Sequence, residues 1–362
     1  MKKLLLMTAV IIMATTHTFA QRLQVVDTEG NPIAYASIMN PKAEYIGITN
    51  LEGVVADLKG EKEIIVTHVA FKTKTLKTNG KDMVITLEDA NYEMPEFTVQ
   101  PKPYIYVQTY YRMFFYSSEE GIYYYRVGLT DNTYDTTKKT VEGKTSAVTK
   151  AKNALLKTLL GMMTPAINQY SQIKVGKFED RMMKRGKVAK VQFHEVGPGK
   201  QIITNYKGTI GSVTDDMTDH LRRYSYDSHK FHMDNLEAEG KEKKLRKKLE
   251  RTERRMNREE SDYYLYRIDD NGKYGPEDLV MFQNMTSWDT KEKDKTEHII
   301  IAMQVFNTDR AYVTKNELKE RQKANKIKMN YANIRQFEHD HNIPALTPAI
   351  QQKLDELWKV DN

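Results

Sequence analysis

The chain has 362 residues, 40% hydrophobic and 29% charged, a globular balance with room for about two domains. It contains no cysteine, which excludes disulfide frameworks, iron–sulfur clusters, thiolate zinc sites and a cysteine nucleophile. The formal charge of +7 is unevenly placed: Lys241 to Glu260 holds ten basic and five acidic residues, so the remainder is close to neutral.

Met1 to Ala20 has the layout of a secretory signal peptide. Lys2 and Lys3 form a positive start, Leu4 to Ala14 an apolar run, and Thr18 and Ala20 the small residues before a cut that would leave Gln21 first. The run is short for a membrane anchor, and no cysteine follows for lipid attachment. No later stretch reaches the roughly 18 apolar residues of a transmembrane helix. The expectation is an exported protein, periplasmic or outer-membrane-associated, and not a lipoprotein.

Residues 21–90 show the rhythm of short strands and turns. Runs at Arg22 to Asp27, Ile33 to Met39, Tyr45 to Thr49, Val54 to Leu58 and Glu63 to Phe71 alternate with clusters of turn formers. Asn50-Leu51-Glu52-Gly53 reads as a hairpin loop with Gly53 at positive φ. Met83, Ile85 and Leu87 alternate as a last strand with one buried face. A stretch this short makes a small core and should pack against the remainder of the chain.

Val26-Asp27, Gly30-Asn31-Pro32-Ile33, Ala36-Ser37-Ile38, Thr49-Asn50 with Gly53, and Thr67 to Thr73 together resemble the carboxypeptidase regulatory-like domain. The resemblance spans residues 21–90 and departs at Ala70, where glycine is usual, at Phe71, where tyrosine is usual, and at a glycine missing from the first strand. It implies a transthyretin-like β-sandwich of the kind common in exported proteins of Bacteroidota, often at the front of outer-membrane transporters. It implies no peptidase, because none of the nine histidines is followed three residues later by glutamate. The remaining chain is also too short for a transporter barrel with its plug.

Residues 91–103, with Pro95, Pro101 and Pro103, read as a linker, and 104–362 as a mixed α+β domain. The whole is thus of α+β class, a β-sandwich followed by an antiparallel sheet with helices. Tyr104 to Tyr125 predicts an aromatic hairpin turning at Ser117 to Gly121. Its tyrosines suit a half-buried sheet with hydroxyls in water, or a stacking face for carbohydrate or peptide. Val148, Ala151, Leu155, Leu159 and Met162 share a helical face, predicting a helix over Ser146 to Met163. Ala189 to Phe193, Gln201 to Thr204 and Thr209 to Val213 read as strands. Gly197-Pro198-Gly199 is a turn and lacks the spacing of a nucleotide loop.

Leu236 to Glu260 reads as a long charged helix, laced with pairs such as Lys247 against Glu250 and resting on a narrow stripe of Leu245, Leu249, Thr252 and Met256. Export and interspersed glutamates argue against nucleic acid, and an anionic membrane surface fits Lys241 to Arg258 better. Tyr263 to Asp269, Leu279 to Trp288 and His298 to Phe306 read as strands. Asp269 to Gly272 is a turn that fails the calcium-loop pattern at Lys273 and Tyr274. Two helices close the chain. Thr314 and Glu317 make a capping box for one carrying Ala324, Ile327, Tyr331 and Ile334. Thr347 and Pro348 start the other, with Ile350, Leu354, Leu357 and Trp358 as its stripe.

Little in the sequence carries chemistry. His229 and His232 with Asp234 are the best metal candidate, since two histidines three apart share a helical side. His339-Asp340-His341 lacks that spacing, and His68 reads as a packed histidine. Asp135-Thr136-Thr137 matches a short O-glycosylation pattern. No hydrolase elbow or Walker loop exists, and paired carboxylates for glycoside hydrolysis are spatial and invisible here. No residue is assigned as catalytic, cofactor-binding or metal-ligating, and no cofactor is expected. The expectation is a non-enzymatic envelope module for binding or assembly, partnered by an envelope protein or outer-membrane complex. The alternative is a periplasmic hydrolase of glycan or peptide with its site in the C-terminal part.

Overall fold

The computed structural model describes residues 21–90, 92, 102–161, 164–253, 256–292 and 295–359. The expected leader at 1–20 and most of the expected linker lie outside the described residues. Residues 21–90 form β1 (Leu23–Val26), β2 (Ser37–Met39), β3 (Tyr45–Ile48), β4 (Val54–Val55), β5 (Glu63–His68), β6 (Phe71–Lys77) and β7 (Met83–Thr86). They make two small sheets, ordered β4-β1-β7 and β3-β2-β5-β6. Gly53 does sit at φ +70°, and a Cβ there would lie 2.4 Å from the Val25 carbonyl oxygen, so the turn admits only glycine. The run expected as one strand from Glu63 to Phe71 is instead two, folded at Val69-Ala70. Strand β6 was hidden because its residues after Phe71 are mostly polar and face water.

The rest of the chain builds a ten-stranded antiparallel sheet from β8 (Tyr104–Ser117), β9 (Gly121–Asp135), β10 (Thr140–Ala151), β11 (Gln192–Gly197), β12 (Lys200–Asn205), β13 (Gly208–Asp216), β14 (Leu221–Asp227), β15 (Met256–Arg267), β16 (Leu279–Glu292) and β17 (Lys295–Val313). The order is β10-β9-β8-β17-β16-β15-β14-β13-β12-β11, so the last strand lies in the middle, between β8 and β16. The structure is therefore β-rich with large antiparallel sheets.

This sheet is covered on both faces. Tyr110, Phe114, Tyr125, Tyr263, Leu265 and Phe306 share a core with the small sheets and the C-terminal helices. Their chain neighbours Tyr111, Phe115, Tyr124, Tyr264 and Tyr266 belong to a second core on the other face. The hairpin tyrosines are accordingly sealed from water, Tyr106, Tyr110, Tyr111, Tyr116, Tyr124 and Tyr125 being at most 1% exposed. Three of their hydroxyls turn to protein partners: Tyr106 donates to Asp131 at 2.6 Å, Tyr110 to Glu338 and Tyr116 to the Ala43 carbonyl. Tyr92 reaches across to the Asn307 carbonyl, Tyr45 stacks on His298 at 3.6 Å, and Arg223 binds Asp89 at 2.9 Å. These contacts fasten residues 21–90 and Tyr92 to the large sheet.

The helices are α1 (Ala154–Gly161), α2 (Thr164–Tyr170), α3 (Phe178–Arg185), α4 (Ser228–Ala238), α5 (Glu242–Glu253), α6 (Lys315–Ala324), α7 (Tyr331–Asp340) and α8 (Pro348–Lys359). Three expectations change. The helix expected over Ser146 to Met163 begins only at Ala154, because Thr140 to Ala151 pairs with β9 along its length. The long charged helix expected near 236–260 is broken at Gly240, which takes φ +63°, and its end from Met256 is strand β15. The first of two expected C-terminal helices divides at Asn325 into α6 and α7. The Thr314–Glu317 capping box forms, and α8 buries Ile350, Leu354 and Leu357. Among the described residues no helix is long and apolar enough to cross a membrane.

Arg112 ties the C-terminal helices to the sheet. It is 2% exposed, donates through Nε to Gln304 at 2.6 Å and through Nη2 to the Pro344 carbonyl at 2.7 Å, and lies 3.7 Å from the Glu338 carboxylate. Arg112→Ala removes one partner of a buried charge pair, and should cost about 3–5 kcal/mol of unfolding free energy. Urea melts of the two proteins measure this directly.

Candidate functional site

Three neighbouring strands place one row of side chains under α3 and α4. Tyr226 on β14 stands opposite Asp262 on β15, and Asp262 opposite Asn284 on β16. The next row is Tyr224, Tyr264 and Phe282. Cross-strand partners on one face touch, and here they bond: the Tyr226 hydroxyl donates to Asp262 Oδ2 at 2.5 Å and the Asn284 amide to Oδ1 at 2.6 Å.

Helix α3 is held over this face by its own first turn. Glu179 accepts from the Tyr224 hydroxyl, from Tyr274 at 2.5 Å and from Arg222 at 3.2 Å, while Arg222 grips Asp215 with two bonds of 2.6 Å. That anchorage sets Phe178, Arg181, Met182 and Arg185 along one wall. Helix α4 starts at Asp227, whose side chain accepts the Lys230 N–H, and supplies Phe231 and His232. Between floor and walls lies a cleft of about 620 Å³, whose lining also includes Tyr170, Lys174 and Lys248. That volume suits a small organic ligand. Phe178, Phe231, Tyr264, Tyr266 and Phe282 give it aromatic surfaces, and the Tyr170 ring lies parallel to Phe282 with centroids 6.3 Å apart.

Two carboxylates face this cleft with opposite tendencies. Burial raises the Asp262 pKa, against the opposing hydrogen bonds from Tyr226 and Asn284. Burial also pushes Glu260 upward, but His229 and Arg258 outweigh it and hold Glu260 at about 2. Arg258 donates to Glu260 at 2.8 Å and His229 Nδ1 lies 3.8 Å away. Glu260 and Asp262 are two residues apart on one strand, so their Cα atoms stand about 7 Å apart on the same face. Burial, then Lys248, lowers the pKa of His232.

The histidines singled out in the sequence do not converge. His232 lines the cleft and His229 turns to Glu260, whereas Asp234 accepts from Asn205 at 2.7 Å and meets Lys207 at 3.2 Å. His339 and His341 end α7, with His339 exposed. His68 is buried edge-on against Tyr263, and burial, followed by Arg223, lowers it to about 3. Asp135 to Thr137 turn the β9–β10 hairpin, where Asp135 accepts the Thr137 N–H at 3.0 Å. Among the described residues Asp89, Asp216 and Asp219 do gather, but the Arg223 guanidinium already answers Asp89 and Asp216.

Apart from His232, singled out for another reason, the cleft residues were missed in the sequence because they come from three strands and four helices far apart in the chain. A local signal did exist: Asp262, Tyr264 and Tyr266 alternate along one strand face. The aromatic hairpin drew the stacking expectation instead, and its rings turned out to be interior. No protein-family model matches this chain, and no curated protein matches it either.

The Glu260 pKa predicts a pH signature. A carboxylate depressed in the folded state, from 4.5 to about 2, adds stability that is present above the unfolded value and lost as pH falls through the folded one. Glu260→Gln should melt below the parent at pH 7, and the gap should close between about pH 4.5 and 2. Melting temperatures across that range test this.

Proposed function

We propose that this is an exported cell-envelope protein that binds a small ligand in the α3–α4 cleft and catalyses no reaction. The single observation that carries the binding reading is the 620 Å³ cleft itself, with aromatic walls and a hydrogen-bonded carboxylate at its floor. A pocket of that make-up holds a ligand with flat or ring-shaped faces and polar edges, such as a glycan fragment or a short peptide. In this reading residues 21–90 are a transthyretin-like docking module for an envelope partner or outer-membrane complex, supported by seven short strands in two small sheets. Its location is periplasmic or outer-membrane-associated, an assignment that rests on the leader-like first twenty residues. The exposed Lys243, Lys244, Arg246 and Lys247 on α5 suit an anionic membrane surface.

The hydrolase alternative draws on Glu260 and Asp262, whose pKa values are pushed apart in one cleft. Both are already engaged, Glu260 by Arg258 and Asp262 by Tyr226 and Asn284. That commitment favours holding a ligand over protonating one.

Screening immobilised glycans and short peptides with the purified chain tests the proposal. Tyr170→Ala, at a half-exposed position, and Tyr264→Ala should each weaken the captured ligand at least tenfold, about 1.4 kcal/mol. Unchanged binding in both variants would move the site elsewhere. Turnover of a bound glycan, abolished in Glu260→Gln and Asp262→Asn, would install the hydrolase reading instead.

A further inference from the structure

Three cations of the cleft, Arg181, Arg185 and Lys174, lie against neutral groups. Arg181 donates to the Gly176 carbonyl and to the Tyr266 hydroxyl at 3.2 Å, with its guanidinium 5.9 Å over the Phe178 ring. Arg185 is exposed and lies 5.2 Å over the Phe231 ring. The Lys174 ammonium donates to the Gln169 carbonyl. Of the nearby carboxylates, Glu179 and Asp215 are spent on Arg222 and Glu260 on Arg258, while Asp262 is hydrogen-bonded to Tyr226 and Asn284 and makes no ion pair of its own. Three positive groups thus face one cleft, and among the described residues none of them has an ion pair. Burial, and secondarily the adjoining Arg181, depress the Lys174 pKa.

The polar groups of the floor narrow the choice of anion. An acyl chain would lay hydrocarbon over the Asp262 carboxylate and the Gln172 amide, at a desolvation cost that a polar ligand does not incur. A sugar ring differs, since its C–H face stacks on an aromatic ring while its hydroxyls point outward to carboxylate and amide groups. A planar guanidinium matches a carboxylate with two parallel hydrogen bonds.

We propose that the cleft takes an acidic saccharide, a sugar bearing a carboxylate. Its ring faces lie on Tyr170, Tyr264 and Phe282, its hydroxyls meet Asp262 and Asn284, and its carboxylate meets Arg185 and Arg181. This rests on the reading of the cleft as a ligand site.

The test is calorimetric titration of the full chain with disaccharides of galacturonate, glucuronate, mannuronate and guluronate, each beside its neutral counterpart. At least one acid should bind tenfold or more tighter than its neutral form. Arg185→Gln should cost about tenfold for the acid and leave the neutral sugar unchanged. Tyr170→Ala should weaken both. Equal binding of acid and neutral forms, or an acid unaffected by Arg185→Gln, overturns the charge assignment while the cleft reading stands. No saccharide bound by the parent, but capture of a glutamate-rich peptide or of phosphatidylglycerol vesicles that Tyr170→Ala abolishes, replaces the saccharide with that anion. If none of these probes binds, both readings fall.

Discussion

Strand β8 delivers Tyr110 to one core and Tyr111 to another, and Phe114 and Phe115 repeat the division. A sheet with water on one face would not tolerate this, because every second bulky ring would be exposed. The ten-stranded sheet therefore requires cover on both sides. The small sheets of residues 21–90 and the C-terminal helices supply it on one face, while α3 and α4 supply it on the other. Hydroxyls and charges carried into those layers call for partners, several of which come from the covering elements. Tyr110 with Glu338, Tyr116 with Ala43 and Arg112 with Pro344 are such partners, and they fix where the covers sit.

The cleft is a consequence of incomplete cover. Where β14, β15 and β16 pass beneath α3 and α4, Phe178 packs on Tyr264 and Phe231 on Tyr226, and the space left between these contacts is lined by Tyr226, Asp262 and Asn284. Glu179 keeps this arrangement in place, since its carboxylate collects Tyr224, Tyr274 and Arg222 and so locks α3 at a set height. The same network consumes the acidic groups that would otherwise neutralise the arginines of the wall. Shape and charge of the cleft are thus products of one anchoring cluster.

Elements whose cause is local were legible in the sequence. The Gly53 hairpin, the turn at Ser117 to Gly121, the Thr314–Glu317 capping box and the Thr347–Pro348 helix start each depend on a few adjacent residues. Periodicity misled where two elements adjoin. Val148 and Ala151 fall on a helical face shared with Leu155, yet they pair with Val127 and Tyr124 across a strand ladder that no window of sequence reveals. Gly240 cut the charged run because a positive φ ends a helix more sharply than charge patterning extends it.

What the sequence determined by itself was the strand-and-turn rhythm of residues 21–90, several turns and caps, and the apolar stripe of the last helix, all set by steric and hydrogen-bonding rules acting over a few residues. Tertiary structure alone decided that the tyrosines lie inside and that β17 returns to the centre of the sheet. It alone also decided that Phe178, Tyr226, Asp262 and Phe282 surround one space. Those outcomes depend on which surfaces meet after the strands register, and burial, with the hydrogen bonds it compels, belongs to the assembled layers and to no single segment.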